Sequence, residues 1–329
     1  MRAASTRRDL LLAGAAAVPL LVGRRARAAA KVRVALGDVV STETLCVLIA
    51  MERAKERGVD YEMTSFSKED LAIQAVIGGQ ADLGIGTPYA VIQKTRVPLR
   101  ILFQVNRLVF FPVVDKAYKS WKDLDGQPFA FHARGTGTEA IGNIIAKREG
   151  IAFGQRSYVP GSENRVVALL NGQIRATILD LANKNLIMEK AGDRFHVLPG
   201  VDRPASDETL FGNLEWIRAN RPTVDTIVEA MLETWRQMVK DPEWVEAERA
   251  RRGLLADRPK EILAGVTKFY REGVAAGMFS ADGGGAEAAR ADFEFYTEAG
   301  QMQGPAGVLK VEDYWELGPL EAARKKLGA

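Results

Sequence analysis

After about residue 30, the chain alternates between short runs of β-branched and apolar residues and longer stretches with helical periodicity. The first series predicts strands at 31–36, 60–66, 81–85 and 99–105, with a helix after each of the first three. The second series predicts strands at 127–133, 156–159, 175–179 and 195–198, again with three intervening helices. A possible strand at 208–211 leads into helices at 214–219, 223–240, 242–252, 259–276 and 286–298. This alternation indicates an α/β fold.

The two series share one short sequence pattern. Residues 75–83 (AVIGGQADL) align with residues 168–176 (ALLNGQIRA), and each segment reads as a helix end, a glycine, a glutamine and a buried strand. Glycine suits the position after a helix because that residue often needs a positive φ. The pattern therefore predicts two lobes of the same βαβ architecture, each built on a parallel sheet.

The first thirty residues are typical of an export signal. Arg7 and Arg8 precede an apolar stretch at 10–22, which is the twin-arginine pattern. As a helix this stretch would measure roughly 20 Å, too short to span a bilayer. Small residues follow, so we expect cleavage near residues 28–30 and a soluble, periplasmic product. An N-terminal anchor or a basic tail is the alternative interpretation.

Removal of this segment changes the charge of the chain. Residues 1–30 contain six Arg and one Asp, which leaves 39 Lys and Arg against 41 Asp and Glu, a formal charge of −2. We therefore expect no nucleic-acid partner. Cys46 is the only cysteine in the sequence, so an intramolecular disulfide is excluded. Its apolar neighbours predict that it packs within a helix.

Ligands of open parallel sheets bind at the carboxyl ends of the strands, where helix N-termini also present unpaired N–H groups. Facing lobes would aim several such termini into one cleft, which favours an anionic or polar ligand. The candidate ligand-binding residues at these positions are Gly37, Asp38, Ser41, Thr42, Gly86, Thr87, Asn106, Arg134, Gly135, Thr136, Gly137, Thr138, Asp180, Asn183 and Phe211.

Several of these candidates have a second interpretation. Arg134 could grip a carboxylate or sulfonate with two hydrogen bonds, or be a solvated loop residue. Asp180 and Asp38 could bind a ligand amine or hydroxyl, or cap a helix. Phe211 could form an apolar wall or pack in the core. The glycine-threonine loop at 135–138 lacks the lysine and spacing of a nucleotide-binding loop.

The sequence gives little support for catalysis. His132 and His196 are the only two histidines, and His132 lies beside the glycine-threonine loop. The sequence contains no zinc-ligand spacing and no nucleophile elbow. We therefore predict a protein that is not an enzyme, with no catalytic residues, no metal and no cofactor.

Four segments resemble the periplasmic substrate-binding proteins of ABC importers, in particular the nitrate, sulfonate and taurine group with its thiamine-pyrimidine-synthase-like members. They are residues 32–37 (VRVALG), 78–84 (GGQADLG), 121–130 (WKDLDGQPFA) and 170–174 (LNGQI). The resemblance implies a type II periplasmic binding protein fold, with two parallel-sheet lobes joined by a two-stranded hinge and the helical C-terminal part packed on lobe 1. It also implies passages between the lobes near 111–116 and 199–206.

The resulting domain prediction assigns 1–30 to the signal, 31–113 with 203–329 to lobe 1, and 114–202 to lobe 2. By the same resemblance the partners are a small solute and an inner-membrane ABC permease, and the protein is a monomer. Two other functions stay open: a sensory ligand-binding protein, and an enzyme of the pyrimidine-synthase-like group. The identity of the solute is also open, because relatives on one fold differ in their site residues.

Overall fold

The computed structural model describes residues 31–66 and 68–328, so the predicted signal at 1–30 lies outside the described residues. The strands are β1 (Val32–Leu36), β2 (Tyr61–Ser65), β3 (Leu83–Gly86), β4 (Leu99–Arg107), β5 (Phe110–Asp115), β6 (Phe129–Phe131), β7 (Arg156–Tyr158), β8 (Ala176–Asp180), β9 (Phe195–Val197) and β10 (Ser206–Asn213). The helices are α1 (Leu45–Glu56), α2 (Glu69–Ile77), α3 (Tyr89–Thr95), α4 (Gly137–Glu149), α5 (Ser162–Leu170), α6 (Leu181–Ala191), α7 (Leu214–Ala219), α8 (Arg221–Lys240), α9 (Trp244–Arg252), α10 (Lys260–Ala264), α11 (Val266–Ala275), α12 (Ala286–Glu298) and α13 (Gly318–Leu327).

The strands form two five-stranded sheets with equivalent topology. The first sheet has the order β2-β1-β3-β10-β4, and the second has the order β7-β6-β8-β5-β9. In each sheet four strands point the same way and one runs antiparallel to both of its neighbours. This confirms the predicted α/β class and the internal repeat, and it adds one antiparallel strand to each predicted parallel sheet.

The antiparallel strands are the ones that follow a passage between the sheets. The chain leaves the first sheet after β4 and enters β5 at Phe110, so this passage consists of residues 108–109. It returns between β9 and β10, at 198–205. The Leu108 amide donates to the Ala205 carbonyl (2.9 Å), so the two passages lie side by side. The first passage therefore precedes the predicted segment 111–116, and the predicted domain boundaries remain a proposal.

The sequence did not predict β5 because Pro112 interrupts its apolar run. Proline lacks the N–H that a strand interior normally donates. In β5 the Pro112 carbonyl accepts a hydrogen bond from the Leu198 amide (3.0 Å), which a proline can still do. Val113 and Val114 are fully buried on either side of the backbone. Burial of these neighbours therefore holds the segment in the sheet despite the proline.

The helical C-terminal third packs mainly against the elements of the first sheet, as predicted. The indole of Trp235 on α8 is fully buried and donates to the Val105 carbonyl in β4 (2.7 Å). The Tyr270 hydroxyl on α11 donates to the Thr42 carbonyl (2.8 Å) and accepts from the amide of buried Cys46 (2.9 Å). The single predicted helix at 259–276 is divided into α10 and α11 at Gly265. These helices also reach the second sheet, since α11 contacts α6 and α12 contacts α4.

We predict that Gly84→Ala destabilises the first sheet by about 1–3 kcal/mol, the usual range for overpacking a core. A Cβ at Gly84 would lie 2.4 Å from Cζ of Phe211, whose ring is fully buried on β10. The measurement is urea unfolding of both proteins. Gly307→Ala is the matched control, because a Cβ there meets open space. Equal stability of Gly84→Ala and the control would contradict this packing argument.

Candidate functional site

A cavity of about 570 Å³ lies where loops from both sheets face each other. On the side of the first sheet it is lined by residues 37–43 after β1, by Glu69 on α2 and by Asp207 and Glu208 on β10. On the side of the second sheet it is lined by His132, the loop at 136–138, residues 161–163 with Arg165, and Asp180 with the start of α6. These positions are mostly the carboxyl ends of the parallel strands, where ligands of open sheets bind.

The structure brings nine of the predicted residues to this cavity. They come from the loop after β1, from the loop before α4 and from the start of α6. They are Gly37, Asp38, Ser41, Thr42, Thr136, Gly137, Thr138, Asp180 and Asn183.

Two of the lining glycines are needed for close approach. A Cβ at Gly37 would lie 2.6 Å from the Ile85 carbonyl oxygen. A Cβ at Gly137 would lie 2.2 Å from Cδ2 of Leu108 and 3.1 Å from a carboxylate oxygen of Asp207. Leu108 belongs to the passage between the sheets and Asp207 to β10. Gly137 therefore lets the loop of the second sheet touch the first.

Arg134, the predicted anion ligand, does not line the cavity. Its side chain is exposed, and its guanidinium lies over the ring of Tyr158 at 4.9 Å from the centroid. The next residue, Gly135, adopts a φ of 79° and donates its amide to Glu139 (2.8 Å). This turn directs the backbone toward α4 and leaves Arg134 on the outer face. The solvated-loop interpretation fits Arg134.

Four further candidates lie behind the cavity wall. The ring of Phe211 is fully buried against Gly84, so it packs in the core. Gly86 and Thr87 lie behind Glu69, and the Thr87 amide donates to the Glu69 carboxylate (2.9 Å). The Asn106 side chain donates to Glu43 (3.3 Å) and accepts from the Glu208 amide (2.8 Å). Thr87 and Asn106 therefore position lining carboxylates.

Most of the charged residues that line the cavity were not predicted from the sequence. Seven carboxyl groups of the described side chains line it, and only two of them were predicted. The seven are Asp38, Glu43, Glu69, Glu163, Asp180, Asp207 and Glu208.

Burial and mutual repulsion raise the pKa of several of these carboxyl groups. Loss of solvation is the largest cause at each. It raises the pKa of Asp38 to about 6 and that of Glu69 to about 7. The pKa values of Glu43, Asp207 and Glu208 are raised well above their ordinary range by burial and by neighbouring carboxylates. The cavity therefore crowds acidic groups into a poorly solvated space that disfavours their ionisation.

Glu208 is the most buried of three lining residues, with Glu163 and Asp207, whose carboxyl groups accept no hydrogen bond within the described part of the chain. Its side chain lines the cavity, and the residue is only 6% exposed. Within the described residues its carboxylate has no hydrogen-bond partner, whereas that of Asp180 accepts from the amide and the side chain of Asn183, each at 2.8 Å. Because the Glu208 side chain lines the cavity, a donor that enters the cavity can bind its free oxygens.

The two guanidiniums at the cavity bind protein carbonyls. Arg165 is 1% exposed and donates to the Ile178 carbonyl (3.1 Å), the Val159 carbonyl (2.9 Å) and the Ser162 hydroxyl (2.7 Å). Burial lowers its pKa to about 10, which leaves it charged at neutral pH. Arg258, at the exposed side of the cavity, donates to the Val40 carbonyl (3.0 Å). Both therefore hold loops in place.

His132 contributes a neutral donor. Burial lowers the pKa of His132 to about 4, with a further contribution from the charge of Arg165. Its Nδ1 accepts from the Gly161 amide (3.2 Å), which assigns the proton to Nε2. Nε2 is buried and has no hydrogen-bond partner in the described part of the chain. His132, like Glu208, is a polar group that a ligand could satisfy.

The remaining wall is apolar and comes from elements that are distant in sequence. Phe110 begins β5 and Leu186 lies on α6, whereas Leu255, Ile262 and Phe269 belong to the helical C-terminal third. Leu186 and Ile262 are 37% and 48% exposed, so apolar surface faces the solvent at this cavity. The wall gives the cavity room for an organic molecule of moderate size.

The helix N-termini that face the cavity are already occupied by acidic side chains. Asp180 caps α6 by accepting from the Asn183 amide (2.8 Å). Glu69 lies in the first turn of α2 and Glu163 in that of α5. Because these carboxylates offset the positive ends of the helices, the predicted preference for an anion loses its main physical support.

The described residues contain neither a cluster of metal-binding side chains nor a helix that could cross a membrane. Across residues 31–66 and 68–328, no group of three or more His, Cys, Asp or Glu side chains is arranged to hold a metal ion. No helix in this same part of the chain is long and apolar enough to cross a membrane.

Comparisons with known proteins match both the sequence and the fold. The model of the family described as NMT1/THI5 like matches residues 48–245. A search of curated protein sequences found no match. Among solved structures, the ligand-binding component of an ABC-type import system from Staphylococcus aureus, solved with zinc bound, has a TM-score of 0.67 at 12% identity, covering 89% of this chain and 98% of its own.

Two other solved structures are similar over comparable lengths. The periplasmic nitrate-binding protein NrtA from Synechocystis PCC 6803 has a TM-score of 0.67 at 13% identity, covering 91% of this chain and 89% of its own. The periplasmic sulfonate-binding protein SsuA from Methylobacillus flagellatus KT has a TM-score of 0.62 at 18% identity, covering 90% and 94%. At these identities the likeness shows a shared periplasmic binding protein fold.

Proposed function

The chain belongs to the NMT1/THI5-like family, and from this premise we propose that it is the solute-binding component of an ABC importer. In this role it captures one small solute between its two sheets and delivers it to an inner-membrane permease. The fold shared with import-system binding proteins supports this proposal. The predicted lobes, 31–113 with 203–329 and 114–202, would be the bodies that close on the solute.

One observation carries the proposal: within the described residues, the cavity is lined from both sides by polar groups that have no hydrogen-bond partner in the protein. Glu208 comes from the first sheet, and His132 follows β6 of the second. A ligand that contacts both would link the two sheets, which are joined by the adjacent passages at 108–109 and 198–205. This arrangement supports ligand capture by closure of one lobe on the other.

The proposal also covers the export of the protein, its location and its lack of catalytic activity. The export signal at 1–30, with twin-arginine transport and cleavage near residues 28–30, would place the protein in the periplasm. There it acts as a monomer, without a cofactor, without nucleic acid and without chemical change to the solute. The named structural neighbours are binding proteins of transport systems, which supports a non-enzymatic role.

We expect a thermal-shift screen of the purified protein to yield one class of strongly stabilising solutes. The panel contains amines, amino acids, pyrimidines, carboxylates, sulfonates and nitrate. A ligand at about 100 times its dissociation constant should add roughly 2.7 kcal/mol to the free energy of unfolding. A hit should be recovered unchanged after incubation. Conversion of the hit to a product would contradict the transport role and favour the enzyme interpretation.

A further inference from the structure

We propose that the solute is a small organic cation, a protonated amine on an apolar body, held by Glu208 at the floor of the cavity. This inference rests on the proposed function and specifies its ligand. It is opposite to the anion expected from the helix N-termini alone. Three features of the cavity support it: the excess of acidic groups, the free carboxyl group of Glu208 and the apolar wall.

Acidic groups outnumber basic groups in the cavity. Among the described side chains, seven carboxyl groups line it, against the two guanidiniums of Arg165 and Arg258, and the imidazole of His132 is neutral. Arg165 is fixed on two backbone carbonyls and the Ser162 hydroxyl, and Arg258 reaches the Val40 carbonyl. An entering anion would bring further negative charge into a poorly solvated space that already disfavours ionised carboxyls. An entering cation would instead favour ionisation of Asp38, Asp207 and Glu208 and pair with the carboxylate so formed.

The unpartnered carboxylate indicates where the cationic nitrogen binds. Glu208 is nine-tenths buried, lines the cavity and lacks a hydrogen-bond partner within the described residues. Its own backbone amide is fixed by the Asn106 side chain (2.8 Å), and Asn106 also reaches Glu43 (3.3 Å). The carboxylate is thus held in place by the backbone while its oxygens stay available. An N–H donor with positive charge forms the strong, short hydrogen bond that such a group accepts.

The size and wall of the cavity indicate the rest of the ligand. A volume of about 570 Å³ exceeds what a lone ammonium or metal ion fills. Phe269 and Leu255 are largely buried on one side, and Ile262 and Leu186 offer exposed apolar surface. These side chains would cover an aliphatic or aromatic body. A primary or secondary amine fits better than a quaternary ammonium, because Glu208 needs an N–H donor.

The test compares matched ligands by isothermal titration calorimetry at pH 8. Each set shares one apolar body and differs in charge: 2-phenylethylamine, 2-phenylethanol, phenylacetate and the trimethylated amine, with parallel sets built on butyl and cyclohexylmethyl bodies. Zinc and calcium chloride are titrated separately. We expect amines to bind at least about tenfold more tightly than the alcohols and carboxylates of the same body, as a charge-assisted hydrogen bond implies.

The matched variant is Glu208→Gln, which keeps the shape and removes the charge. It should weaken amine binding about 10- to 100-fold, the range expected for a hydrogen bond to a buried charge. Its melting temperature should be equal to or above that of the wild type, because a buried acid is replaced by a neutral amide of the same shape. Glu294→Gln, an exposed glutamate on α12, and Arg134→Ala should leave amine binding unchanged.

Each other outcome overturns a defined part of the argument. Tight binding of carboxylates or sulfonates without amine binding would leave the solute-binding function intact and refute the cationic ligand. Preference for the trimethylated amine, or a metal response lost in Glu208→Gln, would refute the protonated amine. Failure of every organic solute and metal, here and in the wider screen, would refute the proposed function itself.

Discussion

The ligand-free protein is expected to become more stable as the pH falls from 8 to 5.5, by roughly 2–4 kcal/mol in total. Burial raises the pKa of Asp38 to about 6, that of Glu69 to about 7 and that of Asp292 to about 6. Their unfolded values are near 4, so the folded state binds more protons throughout this interval. Stability therefore increases as the pH falls through the folded values.

One group opposes this trend. Burial lowers the pKa of His132 to about 4, so below about pH 6.5 the unfolded state takes up a proton that the folded state does not. Protonation of the unfolded state at His132 lowers the free energy of unfolding in the same pH interval. The effect of this one group is smaller than the combined effect of the three carboxyl groups. The other charged groups facing the cavity are Glu43, Glu163, Asp180, Asp207, Glu208, Arg165 and Arg258.

Urea unfolding at pH 8, 7, 6 and 5.5 measures this dependence. Glu69→Gln removes the carboxyl with a folded pKa of about 7 and should flatten the rise, since the amide oxygen can still accept from Thr87. If the stability of the wild type stays constant or decreases as the pH falls from 8 to 5.5, the carboxyl groups in the cavity do not have the raised pKa values described above. An amine ligand should reverse the trend, because it favours the ionised carboxylates that are most populated at pH 8.

Asp292→Ala is expected to lower the free energy of unfolding by about 3–5 kcal/mol. Asp292 is fully buried on α12 and accepts from the Ser206 amide (2.6 Å), the Ser206 hydroxyl (2.7 Å) and the Tyr89 hydroxyl. The Trp315 indole in turn donates to Tyr89 (2.8 Å). Alanine would leave these donors unpaired in the core.

The measurement for Asp292 is urea unfolding at pH 7.5, where the carboxylate is ionised. Asp193→Ala serves as the control, because that side chain is exposed and its loss should change stability by less than about 0.5 kcal/mol. Asp292→Asn should fall between the two, since the amide keeps one acceptor. A loss below about 1 kcal/mol in Asp292→Ala would show that water replaces the missing acceptor.

The fold could be predicted largely from local signals. The glycines that end helices and the periodicity of apolar residues are visible within each element. Nine of the ten strands in the described residues were therefore predicted from the sequence. The exception, β5, depends on burial beside Pro112, which no local rule reveals. The break at Gly265 and the final helix α13 were missed for a similar reason, because they depend on packing between distant segments.

Only those residues of the candidate site that lie in loops at strand ends could be predicted from the sequence. The loops at 37–42 and 136–138 were found because strand ends and glycines mark them. Glu69 and Glu163 were missed because an acidic residue in the first turn of a helix is usually exposed to solvent. Asp207 and Glu208 were missed because two adjacent acidic residues do not suggest the start of a buried strand. A pair of acids directly before an apolar strand was the signal available. Arg134 was proposed from its place at a strand end, but its guanidinium lies over the ring of Tyr158, a contact that the local sequence does not reveal.

The position of β10 constrains the order in which the molecule can assemble. This strand lies between β3 and β4, yet it is made only after the whole of the second sheet. The second sheet uses one continuous segment, from Phe110 to Val197, and can complete itself as soon as that segment exists. The first sheet stays open between β3 and β4 until residue 213 is available. The part of the chain synthesised first is therefore the part that closes last, and it depends on contacts of long sequence separation, which form slowly.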